Sequence, residues 1–129
     1  MTTTTELMHR SLMEVFNERD AERRAATVKE IYADDVVWHE PDRVIHGKAA
    51  LNERAAELQA ETPGWVFRPA GPVSANDDLG HLAFHYGPPD QPPVVTGMDI
   101  ARCVDGVIAE LYTFVDQPAQ PPPTAERTR

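Results

Sequence analysis

Two acids in this sequence stand where apolar residues would be expected. Asp99 lies in Val94-Val95-Thr96-Gly97-Met98-Asp99-Ile100-Ala101-Arg102, a run with the composition of a buried β-strand. A carboxylate in such a strand costs several kcal/mol unless it is paired, hydrogen-bonded or kept protonated, so it marks a candidate site. Glu40 closes a second apolar strand, Val36-Val37-Trp38-His39-Glu40, ahead of Pro41. Two acids on two strands of one small domain can face a common cavity, and such a pair suits proton transfer. Strand period two puts Trp38 on the face of Glu40, so desolvation by the indole is expected to make Glu40 a stronger base. The same phase groups Asp99 with Gly97 and Ala101, whose small size is expected to leave space around the carboxyl.

The histidines suggest less. His81 and His85 share a strand face but lie about 13 Å apart along it, too far for one ion. His39 and Glu40 point to opposite faces, and His46 stands alone, so no metal is expected. No Gly-rich turn follows a strand and opens a helix, which leaves no nucleotide site, and the proton chemistry itself needs no cofactor. A net charge of −9 offers no basic face for nucleic acid or for an anionic membrane surface. No apolar run approaches the ~20 residues of a membrane span. The start has neither the basic nor the apolar part of a signal peptide. One cysteine, Cys103, excludes an internal disulfide and reads as a small buried hydrophobe in a cytoplasmic protein.

The elements that must position the acids follow from periodicity. Thr3 and Glu6 have capping-box spacing ahead of Met8, Leu12, Val15 and Phe16, one stripe of an amphipathic helix starting near Thr4 or Thr5. Asp20 caps a second helix expected to carry Ala25, Val28, Ile31 and Tyr32 inward and to end at Ala33-Asp34-Asp35. The strand Val36 to Glu40 follows, then a loop over Asp42 to Gly47. Lys48 to Glu61 is a third helix, with Leu51, Ala55 and Leu58 inward and Pro63-Gly64 as its stop. Trp65 to Ala75, broken by Pro69 and Pro72, reads as an irregular or edge strand. Leu79 to Tyr86 alternates as a strand. Val94 to Val104 and Val107 to Val115 form a hairpin about Asp105-Gly106. Residues 1–5 and the Pro-rich 117–129 have no apolar pattern and are expected to be disordered, leaving one domain over 6–116.

Segregated helices and strands predict an α+β fold, a curved antiparallel sheet wrapped by three N-terminal helices into a cone with a central pocket. Three stretches carry a resemblance. Tyr32-Ala33-Asp34-Asp35-Val36-Val37-Trp38-His39-Glu40-Pro41 looks like a helix-to-strand passage ending in acid-Pro. Ile45-His46-Gly47-Lys48-Ala49-Ala50-Leu51 looks like an entry to a third helix, and Val94 to Asp116 like a closing hairpin. In this order they resemble the nuclear transport factor 2-like superfamily, which includes ketosteroid isomerases and SnoaL-like polyketide cyclases. The resemblance implies that Glu40 is the proton-shuttling base and Asp99 the protonated acid of the oxyanion hole. The tyrosine that ketosteroid isomerases place on the first helix falls on Leu12.

The expected molecule holds a small apolar ligand between Glu40 and Asp99, in a pocket lined by Leu12, Phe16, Trp38, Leu111, Thr113 and Val115. Its reaction would be isomerisation, cyclisation or a related lyase or hydrolase step. The alternatives are a non-catalytic metabolite-binding domain, or an interaction module whose pocket is filled by Leu12, Phe16 and Trp38. Tyr112 and Phe114 alternate with the pocket residues, so they fall on the outer sheet face, through which a homodimer is expected.

Overall fold

The computed structural model describes residues 2–116. The disorder expected for residues 117–129 falls outside the described residues. At the other end the expectation of disorder over residues 1–5 is corrected, because α1 (Thr4–Ser11) begins inside that stretch. Its cap is the predicted one: the Thr3 hydroxyl accepts the Glu6 N–H at 3.1 Å, and the Glu6 carboxylate accepts the Thr3 N–H at 2.8 Å. Two donors that the first turn leaves unpaired are satisfied reciprocally. The helix runs on as a π-helical turn, Leu12–Phe16, in which the Asn17 N–H reaches back to Leu12 O at 3.0 Å. Leu12, Val15 and Phe16 are all buried.

Asp20 caps α2 (Ala21–Ile31) by accepting the Arg23 N–H at 3.0 Å. Ala25, expected inward, is exposed; the inward face is Arg24, Thr27, Val28 and Ile31. A hydropathy stripe cannot read a cation as a core residue. Arg24 is buried because its guanidinium donates to Asn52 Oδ1, Gln59 Oε1 and Glu18 O. Tyr32 does not extend α2 but opens β1 (Tyr32–Glu40), a longer strand than Val36 to Glu40. The expected loop after it contains β2 (Arg43–His46), which pairs antiparallel with β1. Its side chains are mostly exposed, so no apolar alternation announced it. α3 (Lys48–Glu61) has the predicted bounds.

The sheet continues with β3 (Val66–Pro69), β4 (Ser74–Asn76), β5 (Leu79–Gly87), β6 (Val95–Val104) and β7 (Val107–Val115). Its order is β2-β1-β7-β6-β5-β3, with β4 also on β5 and the two ends unjoined. The expected strand Trp65 to Ala75 is two short ones, β3 and β4, parted at Pro72; β3 ends at Pro69 and lies at an edge. The β6–β7 turn has Asp105 at φ 52° and Gly106 at φ 81°, the left-handed pair that a two-residue hairpin with the twist of its strands demands. One pairing departs from the expected antiparallel sheet. β1 and β7 run parallel, so the sheet is mixed. The three helices cover one face, and the core between them and the sheet includes Leu7, Leu51, Leu82, Ile108 and Leu111. No helix among the described residues is long and apolar enough to cross a membrane.

A polar knot ties the helices where they meet the site. The Gln59 amide donates to Val15 O, Phe16 O and Glu18 O at 3.2, 3.0 and 2.8 Å, carbonyls at and just past the end of the π-helical turn. Arg19 adds bonds to Gln59 O, Thr62 O and Trp65 O. Phe16 and Trp65 are thereby held from the backbone side.

Candidate active site

Between the helices and the inner sheet face lies a cavity of about 270 Å³. Of the residues expected to line it, Leu12, Phe16, Trp38, Thr113 and Val115 do, together with both acids, Glu40 and Asp99. Leu12, Phe16 and Trp38 form walls and do not fill the space. Leu111 is the exception. It is fully buried in the core, paired with Trp38 on β1 and Ala101 on β6, and does not reach the cavity. The walls are largely aromatic: Trp65, Phe67, Phe84 and Tyr86 join Phe16 and Trp38. The Phe16 and Trp38 rings lie 4.8 Å apart, and Phe67 stacks on Tyr86 at 3.8 Å.

Asp99 is buried and pairs across the sheet with Leu82 on β5 and Thr113 on β7. The Thr113 hydroxyl donates to Asp99 Oδ1 at 2.7 Å, and the Trp38 indole N–H donates to Thr113 Oγ1 at 3.0 Å. Burial pushes the Asp99 carboxyl up to about 7, although the Thr113 bond pulls the other way. With no cation on it among the described residues, the group holds its proton through the mildly acid range. The small neighbours of Asp99 do not open space as expected. A Cβ on Gly97 would fall 2.2 Å from Phe114 O and 2.8 Å from the Phe84 ring, so this glycine permits a close strand and ring approach. Ala101 is fully buried in the core.

Glu40 is set differently. Its carboxylate accepts the Arg54 Nε–H at 3.2 and 3.0 Å, one bond to each oxygen, and Arg43 Nε lies 3.9 Å away. The indole shares the cavity with Glu40, but its direct neighbour is a cation that the sequence reading did not assign. Arg54 was legible in principle. It stands three residues after Leu51 and four before Leu58, on the apolar stripe of α3, and a cation on such a stripe needs an anion opposite it. Near α3, Tyr86 and Thr62 share a hydrogen bond, and Thr62 donates its own proton to Leu58 O at 2.8 Å. Neither was read as a site residue, since hydroxyls carry no periodic signal. Tyr32 bonds Ser11 in the core at 2.6 Å and does not line the cavity. Among the described residues no three His, Cys, Asp or Glu side chains come together as a metal ligand set.

The family model of the SnoaL-like domain matches residues 9–111. No curated protein sequence matches the chain. Among solved structures, a candidate isomerase of the SnoaL-like family from Agrobacterium tumefaciens aligns with a TM-score of 0.80. It is 22% identical, over 86% of this chain and 95% of that one. A candidate ketosteroid isomerase from Kribbella flavida aligns at 0.71, 21% identical over 98% of this chain and 88% of that one. A candidate SnoaL-like polyketide cyclase from Jannaschia sp. CCS1 aligns at 0.68, with 14% identity and 90% of each chain covered. At such identities the likeness carries the fold and leaves the reaction to the site.

Proposed function

This chain belongs to the SnoaL-like domain family, and from its cavity we propose a cofactor-free acid–base enzyme that acts on a small apolar carbonyl compound. Glu40 takes a proton from the carbon next to the carbonyl. Asp99, neutral, donates a hydrogen bond to the oxygen on which charge develops. Arg54 holds the Glu40 carboxylate in place, and the aromatic walls hold a flat ligand and exclude water. The observation that carries this reading is Asp99: a buried acid with no cation beside it among the described residues, its carboxyl pushed up by burial, on the wall of an apolar cavity.

Deuterium exchange tests it. A fused-ring ketone such as 1-indanone in heavy water, followed by proton NMR, should lose its α-protons faster with the protein than in buffer. Glu40→Gln and Asp99→Asn should each cut the excess by about a hundredfold or more. Exchange no faster than buffer across several fused-ring ketones that do bind would remove the enzyme reading. A metabolite-binding domain would then stand, and one observation favours it: both Glu40 oxygens are already engaged by the Arg54 guanidinium.

The same proposal places the protein in the cytoplasm, on its single thiol, and makes it a homodimer through the outer sheet face. There Phe114 is 51% exposed and pairs with Met98 across β6 and β7. Tyr112 beside it stacks on His39 with ring centres 4.2 Å apart. Phe114→Glu would bring two like charges together across a symmetric contact. Sedimentation should show monomer where the wild type is dimeric, while Asp99→Asn leaves the dimer intact. A monomeric wild type would end the dimer assignment.

A further inference from the structure

Trp38, Thr113 and Asp99 form a chain whose direction is set by its first member. An indole N–H can only donate, and a threonine hydroxyl has one proton. With the Trp38 N–H directed at Thr113 Oγ1 at 3.0 Å, the hydroxyl proton is left for Asp99 Oδ1, 2.7 Å away. The reverse arrangement, with Asp99 donating to Thr113, would leave the threonine proton without an acceptor, since neither bond partner offers one. Oδ1 therefore accepts, and the proton of a neutral Asp99 sits on Oδ2. Oδ2 has no hydrogen-bond partner among the described residues, on a side chain that lines the cavity.

We infer that Thr113, oriented by Trp38, fixes which oxygen of Asp99 carries the proton, and so makes this part of the cavity accept a ligand with a hydrogen-bond acceptor and refuse one with only a donor. The inference rests on the proposed neutrality of Asp99 and adds a specificity to it. Thr113 and Trp38 are positioning residues here: they act through Asp99. The ligand class that follows is a flat, apolar carbonyl compound whose oxygen meets Oδ2. A molecule of the same shape with an N–H at that position would meet a second donor.

Two bicyclic probes separate these cases, 1-indanone with an acceptor and indole with a donor. Their dissociation constants can be read from quenching of Trp38 and Trp65 fluorescence, or by NMR where indole emission interferes. The wild type should prefer 1-indanone by about tenfold or more, the scale of one well-made hydrogen bond against an unmade one. Thr113→Val frees the Asp99 proton to occupy either oxygen, so the preference should fall to within about threefold. Thr113→Ser should restore it. Carbon-detected titration supplies a readout that loss of packing would move the other way, since water reaching the carboxyl lowers its midpoint. The Asp99 midpoint should rise in Thr113→Val, because the bond that lowers it is gone. Trp38→Phe leaves Thr113 in place but frees its lone pair, and should weaken the preference even if the valine variant does not fold. A wild-type preference that survives both substitutions, with an unmoved midpoint, overturns this inference and spares the neutral acid. A wild-type Asp99 that titrates near its ordinary value overturns both.

Discussion

Asp99→Asn is expected to flatten the dependence of stability on pH between acid and neutral conditions. Burial raises the Asp99 carboxyl from 3.8 to about 7 in the folded protein. Between those two values the native state keeps a proton that the unfolded chain has lost, so stability falls as pH rises. The contribution is fully present below the unfolded value and is gone once the pH has passed the folded one. A shift of roughly three units, at about 1.4 kcal/mol each, bounds the loss at about 4 kcal/mol. Asparagine keeps the shape and can accept the Thr113 hydrogen bond, but it has no charge to bury. The variant should therefore gain on the wild type by up to this amount between pH 4 and pH 8, while contributions from other groups cancel. Urea unfolding of both proteins at several pH values measures it. Stability curves that stay parallel would show that Asp99 ionises like an exposed acid, and its donor role would have to be given up.

Arg54→Met should destabilise the protein by about 2 kcal/mol. Exposed ion pairs contribute ~0–1 kcal/mol, and loss of one partner of a fully buried pair costs about 3–5. This pair lies between, with side chains 13% and 9% exposed at Arg54 and Glu40. Most of the cost comes from leaving Glu40 in an apolar wall with only the more distant Arg43, 3.9 Å away, as a cation. Glu40→Gln in the Arg54→Met background should recover part of it, giving a coupling of about 1 kcal/mol or more in a double-mutant cycle. Additive effects of the two substitutions would mean that the pair is solvated and does not hold Glu40 for proton transfer. The exchange reaction should fall in Arg54→Met as well, since a carboxylate that has lost its bonds to both oxygens no longer keeps one orientation.

What could be read from the residues alone was local. The Thr3–Glu6 cap, the Asp20 cap, the bounds of α3 and the Asp105-Gly106 turn depend on neighbours a few positions away, and each stands where its spacing put it. Alternation also assigned Asp99, Thr113 and Val115 to the inner face and Phe114 to the outer one. Period two does not say how far along a strand the cavity extends, which is why Leu111 falls in the core. The parallel pairing of β1 with β7, the strand character of Arg43–His46 and the burial of Arg24 depend on partners distant in the chain. The site itself is of this second kind. Trp38 and Thr113 are 75 positions apart, Arg54 and Glu40 are 14 apart on different elements, and no periodicity links them. The sequence alone determined that two acids would lie in apolar strands. Only the packing of α3 against the sheet decided that one would be held by a cation and the other buried beside a threonine hydroxyl, because the state of a buried carboxyl is set by what closes around it.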